Sequence, residues 1–290
     1  MGCQEAISYF SKLIYESLDK GKRCLGIFLD IAKAFNSIEH NLLLKKLKTV
    51  LGNSTLWLWF KSYLSNRSQT TRINGETSDP CKVIYGIPQG TVLGPLLFNI
   101  YVNDLLNIDI NSNILAFADD TVLFFEGKTW SEVESKANAG LVRVNNWYAK
   151  NSLMLNKKKS VFIPFALSSY NKPEQINIKL HNNNCKISNN TDICNPNCRY
   201  LSRVATAKYL GVIYDEHLKW KPQVESVINR IRKCFFIFKE LRNVLDTPRL
   251  KMIYFALVQS ILMYGLIVWG SAYNNVLKPL MTTQRMLIRV

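Results

Sequence analysis

Ile114-Leu-Ala-Phe-Ala-Asp-Asp-Thr-Val-Leu-Phe-Phe125 sets two consecutive carboxylates, Asp119 and Asp120, inside an otherwise almost wholly apolar run. Burying an unpaired carboxylate is expensive, so two adjacent ones must reach solvent at a turn or be neutralised. The pattern predicts two apolar strands meeting at Asp119-Asp120, and two explanations compete for the acids. A hairpin turn accounts for them blandly, since Asp is common there. A divalent cation accounts for them chemically: Mg²⁺ takes hard oxygen ligands, few of them protein carboxylates, and completes its shell with phosphate.

Working outward, a second Asp ends an apolar strand in Gly26-Ile-Phe-Leu-Asp30. Between the two sites, Gly86-Ile-Pro-Gln-Gly-Thr-Val-Leu-Gly-Pro95 holds three glycines and two prolines in ten residues ahead of an apolar helix. Such a segment forms a rigid turn whose backbone can approach a ligand closely. Taken alone it reads as an ordinary strand-to-helix loop.

Periodicity predicts helices over Ala6–Lys20, Asn41–Leu51, Leu56–Leu64, Pro95–Leu106 and Glu132–Asn151. Strands are expected at Cys24–Asp30, Thr70–Asn74, Cys81–Tyr85, Asn156–Phe165 and Tyr209–Tyr214, the second and third flanking the turn signal Asn74-Gly75. Ala166–Ala207 is polar and Asn-rich, a loop or small hairpin insertion, and long helices are expected over Pro222–Leu245 and Pro248–Trp269. Strands interspersed with helices and followed by a helical third predict an α+β domain plus a helical bundle.

Charge divides the chain. Met1–Phe125 carries 12 Lys and Arg against 11 Asp and Glu, whereas Glu126–Val290 carries 25 against 10. An acidic site in one half and a polyanion-holding surface in the other would account for this asymmetry, as would a lysine-rich soluble surface. The seven cysteines are odd in number and scattered, which fits a reducing compartment. His181, Cys185, Cys194 and Cys198 cluster, but their spacings match no standard finger, so a loop with incidental thiols is expected rather than zinc. No apolar h-region follows the N-terminus, so the chain reads as intracellular without a signal peptide, nucleus and cytoplasm left open. Met252–Trp269 is apolar enough to raise a membrane span, and a helix buried on all sides is the expected alternative.

Read in order, these segments resemble the reverse transcriptases of non-LTR (LINE-type, Jockey- and I-like) retrotransposons. Phe28-Leu-Asp-Ile-Ala-Lys-Ala-Phe35 resembles motif A; Gly86-Ile-Pro-Gln-Gly90 with Leu93-Gly-Pro-Leu-Leu-Phe98 resembles motif B; Phe117-Ala-Asp-Asp120 resembles motif C. Leu155-Asn156 with Lys159 is similar to motif D, Tyr209-Leu-Gly211 to the primer grip, and Tyr264-Gly265…Val268-Trp269-Gly270 to the thumb. The resemblance implies a right-hand polymerase palm, an antiparallel sheet with helices, followed by a mostly helical thumb. It divides the chain into partial fingers and palm over 1–165, a polar insertion over 166–208, and primer grip with thumb over 209–290.

The resemblance further implies RNA-directed DNA synthesis with two Mg²⁺ ions (Mn²⁺ as a substitute), a dNTP, an RNA template and a DNA primer. Asp30, Ile31, Asp119 and Asp120 would form the metal site, with Lys159 beside the leaving pyrophosphate. Ile31, Phe35, Gln89 and Gly90 would bind the nucleotide, Phe35 excluding a 2′-hydroxyl by bulk. Outside the motif, Phe35 reads as a core aromatic and Lys157–Lys159 as a solvated basic patch. Tyr209, Leu210 and Gly211 would hold the primer end, and Arg230, Arg232 and Lys233, with Lys239 and Arg242, the primer–template phosphates. Two departures stand out: Asn36 replaces the Asp that usually closes motif A, and the chain opens a few dozen residues before Asp30, so incomplete fingers are expected. The alternative is a catalytically impaired, nucleic-acid-binding remnant.

Overall fold

The computed structural model describes residues 2–88, 90–168, 172–173, 175–181 and 198–289. Helix α1 (Cys3–Asp19) leads into strand β1 (Arg23–Leu29), every residue of which after Arg23 is buried. Helices α2 (His40–Leu51) and α3 (Thr55–Leu64) follow, the latter capped by the Ser54 side chain accepting from the Trp57 N–H. An arm of four short strands comes next: β2 (Ser68–Gln69), β3 (Arg72–Ile73), β4 (Glu76–Thr77) and β5 (Cys81–Lys82). Here the expected pairing needs correction. Asn74 and Gly75 both have positive φ and close a two-residue turn between β3 and β4, while β2 pairs with β5 in an outer tier.

Helix α4 (Leu93–Val102) precedes strands β6 (Asn113–Phe117) and β7 (Asp120–Gly127), and α5 (Trp130–Lys150) precedes β8 (Val161–Phe165). The expected strand from Asn156 is therefore shorter. Asn156 Oδ1 accepts from the N–H groups of Lys158 and Lys159, and this local turn competes successfully with extended backbone. Within the polar insertion, expected as a loop or small hairpin, β9 (Lys179–Leu180) pairs antiparallel with β10 (Arg199–Tyr200), and Ile176, Ile178, Leu180 and Leu201 are buried. Cys185 and Cys194 lie outside the described residues.

Strand β11 (Ser202–Arg203) adds to a five-stranded sheet ordered β11-β8-β1-β7-β6, antiparallel except for the β11–β8 pair. Both faces of this sheet are covered, which explains why its strands read as continuous apolar runs instead of alternating ones. Leu25, Ile27, Leu29, Leu123 and Phe125 face a core shared with α2, α4 and α5. Cys24, Phe28, Val122, Phe124, Ile163 and Phe165 face a second core shared with α1 and the C-terminal helices. Phe10 of α1 is the hub of that second core, meeting Phe28, Phe124, Phe165, Tyr209 and Tyr214 at centroid distances of 5.1–6.3 Å, all edge-on.

Tyr209–Tyr214, expected as one strand, is a hairpin: β12 (Thr206–Tyr209) pairs with β13 (Val212–Asp215) across Leu210-Gly211, whose φ values are 44° and 84°. Helix α6 (Lys221–Leu241) follows. The expected single helix to Trp269 is broken into α7 (Thr247–Tyr254), a π turn (Phe255–Gln259), α8 (Ser260–Met263) and α9 (Leu266–Trp269), before α10 (Asn274–Ile288). The main break is at Gly265, whose φ of 64° no helix interior accommodates. Nor is the segment buried on all sides: Met252, Phe255, Met263 and Ile267 are 51–77% exposed. Among the described residues no helix is long and apolar enough to cross a membrane.

Candidate active site

Asp30 follows the last residue of β1, and the β1–β7 register pairs Leu29 with Thr121, so Asp30 comes beside Asp120 at the end of the sheet. Asp119 occupies the turn between β6 and β7, where Phe117 pairs with Asp120 and only Ala118 and Asp119 intervene. Asp119 and Asp120 are exposed and Asp30 is half-buried, so the three acids stand on an open rim. Partial desolvation pushes the Asp120 carboxyl up, and the charges of Asp119 and Asp30 push it further; Lys208 of β12 opposes them. An uncompensated negative cluster of this kind favours a cation.

The turn carries strain. Ala118 has φ of 52°, in a position that two-residue hairpins of this hand normally give to Gly. A non-glycine residue held there costs about 1–3 kcal/mol, and such strain gathers at functional sites.

Asp30 is held through its backbone by the segment containing Lys159. Its N–H donates to Ser160 Oγ at 3.2 Å, its carbonyl accepts from the Asn156 N–H at 2.8 Å, and the Ala32 N–H donates to the Met154 carbonyl at 2.8 Å. Ser160 is fully buried, so its hydroxyl is committed to this task, while the neighbouring Lys159 side chain is exposed. Ile31 is buried and bridges to Leu155.

The glycine- and proline-rich segment is stitched to the residues after Asp30. The Ile87 N–H donates to the Phe35 carbonyl at 2.9 Å and the Gly86 N–H to the Ile38 carbonyl at 2.8 Å. The buried His40 places Nε2 2.7 Å from the Gly86 carbonyl. At Gly86, φ is 89° and a Cβ would lie 3.3 Å from the Asn36 Cα, so only glycine allows this approach. Phe35 is half-buried and stacks on Phe98 of α4 with centroids 4.8 Å apart, so one face is packed as a core aromatic would be. Gly90 is exposed with φ of 76°, and Gln89 lies outside the described residues.

Across from the acids stands the β12–β13 hairpin. Tyr209 is buried, its hydroxyl has no hydrogen-bond partner among the described residues, and burial followed by the charge of Asp120 raises its pKa. The Leu210 carbonyl accepts a 2.6 Å hydrogen bond from the Tyr264 hydroxyl, and the Tyr264 carbonyl accepts one of 2.9 Å from Trp269 Nε1. The Tyr264-Gly265 break in the C-terminal helices thus braces the hairpin turn.

Arg230, Arg232 and Lys233 are all exposed on α6, but they do not form one row. Arg230 and Lys233 are three apart and adjacent on the helix surface, while Arg232 lies on another side. It lines a groove of about 550 Å³ between α6 and α10 with Lys221, Glu225, Asn229 and Asn275.

The sequence profile described as "Reverse transcriptase (RNA-dependent DNA polymerase)" matches residues 3–214. The chain belongs to the reverse transcriptase family. It is 27% identical over 289 residues to the probable RNA-directed DNA polymerase from transposon BS of Drosophila melanogaster, covering 94% of this chain and 30% of that protein. With the RNA-directed DNA polymerase from mobile element jockey of the same organism it shares 25% identity over 301 residues, 99% of this chain and 30% of that protein. The reverse transcriptase chain thus spans about 30% of these relatives' length. Apo telomerase from Candida tropicalis shares the fold, with a TM-score of 0.51 at 10% identity over 98% of this chain and 49% of that one. Telomerase from Candida albicans in complex with a telomeric RNA fragment gives 0.51 at 11% identity over 99% and 51%.

His40, Ser160 and Lys208 escaped the sequence reading, and Tyr264 was read only as part of the thumb resemblance, not as the brace of the hairpin. Each acts on a partner at least 46 residues away in the chain, a distance at which no periodicity or spacing carries a signal.

Proposed function

We propose that this chain is the core of an RNA-directed DNA polymerase that extends a primer 3′-hydroxyl by template-directed nucleotidyl transfer. The observation that carries the reading is the convergence of Asp30, Asp119 and Asp120 on one open rim, facing the Tyr209–Gly211 hairpin. Among the described residues no three His, Cys, Asp and Glu side chains form a group able to hold a metal ion on their own. Mg²⁺ binds through few protein carboxylates and completes its shell with water and substrate phosphate. The donor set fits: hard carboxylate oxygens, the main-chain oxygen of Ile31, and mutual repulsion that a cation relieves. When bound, two ions would activate the attacking hydroxyl and neutralise the triphosphate.

The chain's own groups divide the remaining work. Asp30, Asp119 and Asp120 hold the site, and Ser160 and Asn156 fix the Asp30 backbone. The exposed edge of Phe35, backed by Phe98, would meet the sugar of a bound dNTP and leave no room for a 2′-hydroxyl. Gln89 and Gly90 would contact the nucleotide and the template base beside it. Lys159 would stabilise charge on the departing pyrophosphate, or protonate it. The Leu210-Gly211 turn would support the primer end, and Arg230, Arg232 and Lys233 would hold primer and template phosphates.

Primer extension on an oligo(dT)-primed poly(rA) template with dTTP and Mg²⁺ tests the reading. Asp119→Asn/Asp120→Asn is expected to reduce extension by about a thousandfold or more, since the electrostatic stabilisation at stake is several kcal/mol. Extension by the double variant at the wild-type rate would overturn it. Absence of extension by the wild type, with salt-sensitive duplex binding intact, would favour the binding remnant instead.

A further inference from the structure

The near-neutral half of the chain contains one locally basic surface that the polymerase reading does not use. From His40 to Gly75 there are six cations, Lys45, Lys46, Lys48, Lys61, Arg67 and Arg72, and no Asp or Glu. Lys46 is engaged with Asp104 at 2.6 Å, while Lys48, Lys61 and Arg67 lie against rings of the aromatic helix α3. Trp57 anchors that helix: its Nε1 donates to the Leu44 carbonyl of α2 at 3.3 Å, and Lys48 and Lys61 lie 5.4 and 5.5 Å from its ring.

One turn further on, Trp59 and Tyr63 stack with planes 9° apart and centroids 5.3 Å apart, and Arg67 covers Tyr63 at 5.4 Å. The positions i, i+4 and i+8 make this a column along one side of the helix and its exit. Trp59 is 48% exposed at the open end of the column, between Leu56 and Leu58, which are also exposed. The column continues into the β2–β5 arm, where every residue from Ser68 to Lys82 is exposed, Arg72 and Lys82 included.

A ring stack ending in an exposed indole, among cations (Lys48, Lys61, Arg67, Arg72, Lys82) that outnumber the arm's two carboxylates, Glu76 and Asp79, has a natural complement: a chain of flat bases on a phosphate backbone. We propose that α3 and the β2–β5 arm form a docking surface for single-stranded nucleic acid, separate from the catalytic rim. A base stacks on Trp59, extending the Trp59–Tyr63–Arg67 column, while Lys48, Lys61 and Arg72 meet flanking phosphates. An acidic protein partner would satisfy the cations but would leave the parallel stacking of the exposed indole without a role. The surface does not rest on the polymerase reading, because none of its residues belongs to the acid rim or the hairpin facing it.

The test is fluorescence anisotropy with labelled 12-nucleotide oligo(U) RNA, oligo(dT) DNA and a 12-base-pair RNA–DNA hybrid. Trp59→Ala, a surface change that hollows no core, is expected to weaken single-strand binding about tenfold. It should leave hybrid affinity and thermal stability unchanged, and Trp59→Phe should restore most of the loss. Removing Lys48, Lys61 and Arg72 together should flatten the salt dependence by about 0.7 per cation on single strands. Loss for RNA alone would narrow the ligand to RNA, and loss for both strands would support single strands generally. Wild-type single-strand affinity in Trp59→Ala would overturn the proposal and leave the surface to a protein partner. Equal weakening of the hybrid would also overturn it, by merging the surface with the catalytic cleft.

Discussion

Two hairpins face each other across the candidate active site, and both turn in two residues, yet they are held in opposite ways. The β6–β7 turn places only Ala118 at positive φ, and its two strands pair with each other up to Phe117 and Asp120. The β12–β13 turn places Leu210 and Gly211 both at positive φ, and its carbonyl is held by Tyr264, 54 residues downstream. One hairpin carries local strain to present charge; the other depends on a brace from the C-terminal helices to present backbone. They share a floor, because Phe10 touches Phe124 behind the first turn and Tyr209 and Tyr214 behind the second.

Removing the shared floor should have the largest effect on the fold. Phe10→Ala is expected to cost about 3–5 kcal/mol, lowering the melting temperature by roughly ten degrees, and calorimetry would register it. If the two hairpins were independent of that ring, the loss would be much smaller. Breaking only the brace comes next. Gly265 has φ of 64°, and a Cβ there would lie 2.8 Å from Val212 Cγ2. Gly265→Ala should cost about 1–3 kcal/mol and raise the KM for primer–template while the kcat of a bound complex changes less.

Tyr264→Phe removes the hydrogen bond to Leu210 together with the hydroxyl's contact to Cys3. Losing it should cost about 1 kcal/mol, seen as a modest fall in thermal stability with the same KM bias. An unchanged KM would mean the turn holds itself. The smallest expected effect has the opposite sign. Ala118→Gly should stabilise the chain by about 1 kcal/mol through relief of the left-handed strain, with no gain in primer extension. A destabilised variant would show that the Ala118 methyl packs usefully.

The acid rim was legible because its signals are local. Asp30 ends a strand whose residues are apolar in succession, and Asp119-Asp120 interrupt another, so burial alone demanded an exposed end at both places. The Asn74-Gly75 turn was legible for the same reason, although its partner strand was misjudged: β4 is two exposed residues that no apolar pattern marks. Met252–Trp269 misled because an apolar run reports the absence of polar groups, not direction. Its break depends on Gly265 fitting against Val212, a contact between elements far apart in the chain.

The sequence by itself determined the order of motifs, the two strand ends bearing carboxylates, the apolar strands of a sheet covered on both faces, and the concentration of positive charge after Phe125. These follow from hydrophobic periodicity and the cost of burying charge, which act over a few residues. Only the tertiary structure decided that Ser160 and Asn156 grip the Asp30 backbone, that His40 ties the Gly86 turn to the start of α2, and that Tyr264 braces the hairpin opposite. Those arrangements are hydrogen bonds between residues 46 to 130 apart in the chain, one between backbone groups and the others between a backbone group and a side chain. They are selected by the packing of whole elements around Phe10 and the sheet, a choice no short stretch of residues can express.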